Sequence, residues 1–170
     1  MTLLDIVKDV ERIRGIGNPF ASHLEGYAAL LADVQELWED IKANNDILAM
    51  SQAETVAGTA VRFIVDRFEI PASIALGDMV AELDRARGLF PEFNSAHEGA
   101  AVLLEELDEL WEAVRDDRRI SKTGDPMDLA AGARKHIAEE AIQVGAMALR
   151  MLVDCYGVEL EIGPPKEGAS

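Results

Sequence analysis

Between residues 102 and 115 apolar and polar positions alternate with the 3.6-residue period of a helix. Leu103, Leu107, Leu110 and Val114 form an apolar stripe, and Glu105, Asp108, Glu112 and Arg115 form a solvent stripe. Val102, Glu106, Glu109 and Ala113 lie between the two. Glu106 and Glu109, at i,i+3 among small and apolar neighbours, are therefore expected to be partly desolvated. Two like charges held that close require a cation or a proton.

The same frame occurs earlier in the chain. LLEELDELW (103–111) has a shadow in LLADVQELW (30–38), which keeps three of the four leucines and the tryptophan but not the Glu105-Glu106 pair. At an offset of 73, residues 5–42 align without a gap on residues 78–115. About 16 of those 38 positions are identical, where chance gives about two or three. The match resumes at an offset of 88, residues 53–66 on 141–154, so the second copy carries about 15 extra residues, roughly 116–135. A repeat this short does not bury its apolar face alone, so the two copies are expected to pack together as an all-α, pseudo-dimeric helical bundle.

Each copy reads as three helices. The first spans about 3–14 or 74–87 and ends at Gly15 or Gly88, read as glycines just past the helix end. The second opens on a capping box, Ser22-x-x-Glu25 or Ser95-x-x-Glu98, and runs to about Lys42 or Asp116. The third covers about 48–67 or 128–155. The organisation expected is a degenerate N-terminal repeat (1–70), a C-terminal repeat with the candidate site (71–156), and a frayed polar tail (157–170) containing Pro164-Pro165.

The third helix of copy two supplies partners for the two glutamates. From Ala138 to Leu149 its surface is nearly all apolar, as in a helix buried on most sides, with Glu139, Glu140 and Gln143 as exceptions. If the second and third helices run antiparallel, Glu106, Glu109, Glu140 and Gln143 converge. Four oxygen-bearing side chains suit Mg²⁺ or Mn²⁺ held together with phosphate. The alternative is a solvated acidic face, common on acidic chains. Copy one weighs against it, because Asp33, Glu36, Gln52 and Thr55 occupy the equivalent positions. A solubilising role would call for the acids in both copies.

Composition narrows the partners. The formal charge of −16 over 170 residues argues against a nucleic-acid polymer or an anionic membrane. The longest apolar run suits a buried helix better than a membrane span. One cysteine, Cys155, and the lack of a signal-peptide pattern point to the cytoplasm. Arg115, Arg118, Arg119, Lys122, Arg134 and Lys135, six of the sixteen basic residues, fall within 21 positions at the insertion. They are read either as phosphate contacts above a metal or as a solvated loop paired with Asp116 and Asp117. Trp38 and Trp111, and the pairs Arg62/Asp66 and Arg150/Asp154, match across the copies and read as structural. His97 reads as helix-end packing, and Phe93 and Asn94 as residues within reach of a nucleoside. A di-iron bundle would need Glu-x-x-His, which does not occur, and no Ser, Cys or His constellation suggests a covalent nucleophile.

Glu105-Glu106-Leu107-Asp108-Glu109, followed on the next helix by Glu140-Ala141-Ile142-Gln143, resembles the EExxE and E-x-x-D elements of the MazG-like all-α nucleoside triphosphate pyrophosphohydrolases. The resemblance covers about residues 96–154, with copy one as a worn duplicate. It implies hydrolysis of a (d)NTP to the monophosphate and pyrophosphate with Mg²⁺ (or Mn²⁺), at one site per chain. Glu106, Glu109 and Glu140 would be metal ligands, Gln143 would stand where the family has Asp, and Glu105 and Glu139 would orient water or hold a second ion. Arg118, Arg119, Lys122, Arg134 and Lys135 would meet the phosphates. A homodimer of pseudo-dimers is compatible with this expectation, and so is a catalytically inactive relative that binds nucleotide or a protein partner.

Overall fold

The computed structural model describes residues 3–123 and 127–161. It is all-helical, with α1 (Leu3–Ile16), α2 (His23–Lys42), α3 (Asp46–Phe68), α4 (Ala72–Leu89), α5 (Ala96–Thr123) and α6 (Met127–Tyr156). Both capping boxes form. The Ser22 hydroxyl accepts from the Glu25 N–H at 3.1 Å while the Glu25 carboxylate accepts from the Ala21 N–H. Ser95 and Glu98 repeat this with the Asn94 N–H at 2.7 Å. Asn45 caps α3, and Glu69 ends it in the left-handed region (φ 58°), after which Pro71 leads into α4.

One apolar core runs through all six helices. α3 and α6 lie at its centre, where α3 buries Val56, Ala57, Ala60, Val61, Phe63 and Ile64, and α6 buries Val144, Ala146, Ala148, Leu149, Met151 and Leu152. Like helices meet across the centre: α3 packs on α6, α2 on α5 and α1 on α4. Small residues set the spacing. A side chain at Gly26 would overlap the Phe63 ring, and one at the matching Gly99 would lie 2.7 Å from Met151 Cγ. Tyr27 stacks on Trp111 at 4.9 Å, and Trp38 meets His97 edge-on at 5.6 Å, so α2 and α5 run antiparallel and both tryptophans pack.

The matched polar residues build one network twice. In copy one Asp66 accepts from Arg14 (2.7 Å) and from the Phe20 N–H (3.1 Å), and Arg62 binds the Asn18 carbonyl and lies 4.3 Å from the Phe20 ring centre. In copy two Asp154 faces Arg87 (3.3 Å) and accepts from the Phe93 N–H (3.3 Å), and Arg150 binds the Pro91 carbonyl and lies 4.1 Å from the Phe93 ring centre. Each buried carboxylate ties the helix entering the loop to the helix it packs on.

Three expectations are corrected. The described parts of the insertion are helix rather than loop: α5 has 28 residues against 20 in α2, and α6 has 30 against 23 in α3, which together account for the roughly 15 extra residues. The basic residues of the insertion form i,i+3 and i,i+4 pairs that suit a helix, Arg119 with Asp116 and Lys135 with Glu139. Gly15 and Gly88 lie inside the last turns of α1 and α4, which end one residue further on. The start of the tail is not frayed. Gly157 (φ 64°) turns the chain so that the Val158 N–H donates to Leu152, Val158 and Leu160 pack on the core, and the Leu3 N–H donates to the Glu161 carbonyl at 3.1 Å. Pro164-Pro165 and the rest of 162–170 lie outside the described residues.

Candidate metal centre

The short α5–α6 connection makes these helices antiparallel and brings the acids together. Glu106 (half-buried) and Glu109 (exposed) on α5, with Glu140 (4% exposed) on α6, offer carboxylate oxygens that all lie within 4.8 Å of one another. Burial first, and then Glu109, Glu140, Glu82 and Glu105, push the Glu106 carboxyl up to about 7. Burial, and next to it the carboxylates of Glu109 and Glu139, also raise the Glu140 carboxyl, against the opposing pull of His136. Protein atoms thus leave the negative charge of the trio largely uncompensated, and three hard oxygens at this spacing fit a divalent cation.

Glu140 is held on both sides. Gln143 donates its amide N–H to one carboxylate oxygen at 2.9 Å, and His136 Nδ1 lies 3.2 Å from the other. Gln143 therefore adjoins the trio as a donor to a ligand rather than as a fourth acid. His136, one turn before Glu140, is a neighbour that the acidic pattern does not announce; its i,i+4 spacing is the signal that could have found it.

A cleft of about 360 Å³ opens beside the trio between α4, α5 and α6. Its lining includes the polar Glu105, Glu106 and Gln143 and the apolar Ala86, Phe90, Val102 and Met147. Arg85 on α4 reaches into it, held by Glu82 through a two-point ion pair (2.7 Å at Nε). Glu82 and Arg85 are further residues that the helix pattern of α5 and α6 does not reveal. Their equivalents Asp9 and Arg12 form the same pair in copy one.

The basic residues of the insertion stand elsewhere. Arg118, Arg119 and Lys122 are exposed on the distal part of α5; Arg118 lies 12 residues, roughly 18 Å, along the helix from Glu106. Arg134 and Lys135 are exposed on α6, and Lys135 pairs with Glu139 at 2.7 Å. None of the five lines the cleft. The distal part of α5 instead covers copy one. Asp117 faces His23 Nδ1 at 3.2 Å, and the His23 ring stacks on Phe68 at 5.3 Å with its Nε2 buried and unpartnered.

In copy one the acids do not gather. Gln52, at the position of Glu140, donates to the Asp33 backbone carbonyl at 3.3 Å, and Thr55, at the position of Gln143, bonds back to Ser51. Asp33 is nonetheless raised, by burial first and by Glu36, with an opposing hydrogen bond from Thr59.

No protein family model, no curated protein and no solved structure matches this chain. No helix among the described residues is long and apolar enough to cross a membrane.

Proposed function

We propose that this protein is a Mg²⁺-dependent nucleoside triphosphate pyrophosphohydrolase of the MazG-like kind, a fused pseudo-dimer with one working site per chain. The observation that carries the reading is the convergence of Glu106, Glu109 and Glu140 within 4.8 Å beside an open cleft, in copy two and not in copy one. The repeated Arg–Asp networks and the pairing of like helices support the pseudo-dimer. Glu106, Glu109 and Glu140 would hold Mg²⁺ or Mn²⁺. When bound, that ion supplies charge to neutralise phosphate oxygens and to acidify a coordinated water. Glu105, exposed at the cleft wall, accepts the proton of the attacking water. His136 and Gln143 orient Glu140, and Arg85 meets phosphate oxygens from α4. Arg118, Arg119, Lys122, Arg134 and Lys135 take no part in this scheme, since they do not line the cleft. The absence of a disulfide partner for Cys155 supports a cytoplasmic setting.

Gln143 favours one second reading. As a donor to Glu140 it brings no charge, which suits a chain that binds nucleotide without turnover. A panel of (d)NTPs with Mg²⁺ or Mn²⁺, read by pyrophosphate release, tests the two. Activity that disappears in Glu106→Gln and survives in Asp33→Asn is expected. No turnover of any nucleotide would sink the enzyme reading, and equal loss in both variants would sink the single-site model.

A further inference from the structure

Asp117 belongs to the inserted stretch of α5, and it meets a residue that copy two lacks: His23 aligns with Ala96. The His23 Nδ1 lies 3.2 Å from the Asp117 carboxylate, with the two side chains 11% and 13% exposed. Phe68 stacks on the ring at 5.3 Å, and Phe63 meets it edge-on at 6.2 Å. The insertion and the histidine it rests on thus occur together, as the two sides of one contact between the copies.

The contact suits a neutral imidazole and not a charged one. A carboxylate can only accept, so Nδ1 of the neutral ring carries the proton. Nε2 is buried with no hydrogen-bond partner, so a proton added there would be a donor without an acceptor. His23 is also the first residue of α2, directly after the Ser22 cap, where the helix dipole disfavours a cation. Arg67, fixed near the end of α3 to the Phe20 carbonyl at 3.0 Å, and Arg134 on α6 add positive charge nearby. Asp117 on α5 opposes them, but burial is the largest effect and holds the ring below its usual range.

The chain beyond Asp117 is lightly held. Arg118, Arg119, Lys122, Leu129, Arg134 and Lys135 are exposed, and among the described residues full burial returns only at Ile137. Little apolar surface keeps this part on copy one, whereas the trio end of both helices lies in the core. We propose that the His23–Asp117 contact is an acid-released latch: it holds the extended ends of α5 and α6 on copy one while His23 is neutral and frees them when His23 takes a proton. The latch does not depend on what the cleft binds. In the open form water reaches the ring, which then takes its proton at the ordinary 6.5, and in the docked form only at lower pH. Docking is therefore complete above 6.5 and weakens as pH falls, by at most about tenfold per pH unit for one proton.

Amide hydrogen exchange of the full chain, read by mass spectrometry between about pH 7.5 and 5 and corrected for the intrinsic rate at each pH, tests the latch. In the wild type the described residues of 116–136 are expected to lose protection about threefold or more as pH falls, while 100–112 and 138–150 keep theirs. Two variants that cannot take the proton separate titration from packing. His23→Asn keeps an N–H for Asp117, and His23→Phe keeps a ring for Phe68. Each sets its own level of protection, and that level is expected to stay flat across the range. Protection at 116–136 that ignores pH in the wild type overturns the proposal. So does a fall in both variants equal to that of the wild type, or a loss that strikes the whole chain at the same pH.

Discussion

Replacing Glu106 with Gln is expected to stabilise the metal-free protein. The carboxyl sits near 7 in the fold and at 4.5 when unperturbed, so the folded chain holds a proton that the unfolded chain releases first. Folded binding of protons exceeds unfolded binding between those two values, and stability therefore falls as pH rises through that window. At about 1.4 kcal/mol per unit the ceiling is about 3 kcal/mol. Partial solvent access at a half-buried side chain reduces this to roughly 1–2 kcal/mol. At pH 8 in a chelator, Glu106→Gln removes that cost, which corresponds to a rise in Tm of roughly 3–6 °C for a chain of this size. At pH 4.5 the two proteins converge, because the wild-type carboxyl is then neutral in the fold as well. Thermal unfolding followed by circular dichroism across pH 4.5–8.5, with and without Mg²⁺, measures the difference. Mg²⁺ at about 100 times its Kd is expected to add about 2.7 kcal/mol to the wild type and far less to the variant. A Gln variant no more stable than wild type at pH 8, or a difference that ignores pH, would refute the idea of uncompensated charge at Glu106.

Other outcomes follow from the same contacts. Gln143→Asp removes the N–H donated to Glu140 and adds a carboxylate, so it is expected to lower metal-free stability at pH 8 while tightening Mn²⁺ binding about tenfold, read by calorimetry. Arg150→Ala strands buried Asp154 without its main partner, and denaturant unfolding is expected to show a loss of about 3–5 kcal/mol. Gly26→Ala is expected to cost about 1–3 kcal/mol by pressing on the Phe63 ring, and Gly99→Ala less, because Met151 is flexible. His23 is held below its usual range, chiefly by burial, so acidification below 6.5 charges it first in the unfolded chain and stability drops. His23→Phe is expected to flatten that acid limb relative to wild type.

Much of this fold was legible as duplication. A match between copies separates residues kept for packing from residues kept for chemistry, and Arg62/Arg150, Asp66/Asp154 and the two capping boxes stand where that logic put them. The convergence of Glu106, Glu109 and Glu140 followed from helix period once the second and third helices were taken to run antiparallel. The inserted segment was harder, because its dense charge suggested a solvated loop. Arginine and lysine are good helix formers, however, and the described parts of the segment extend α5 and α6. Glu82, Arg85 and Phe90 reach the site from α4, a placement that tertiary packing decides and local periodicity cannot encode. Gly15 and Gly88 misled for a related reason: a glycine near a helix end marks the end only where the backbone turns left-handed, as it does at Gly157.

The joint between α3 and α4, Glu69 to Pro71, has a consequence for how the chain can change over time. It tethers two halves that share one core, so their association does not weaken on dilution as that of separate subunits would. The half that lacks the acidic trio is then carried along with its partner. If the proposed single site holds, residues 1–70 answer to packing alone, and their surface is free to diverge without any loss of the opposite cleft.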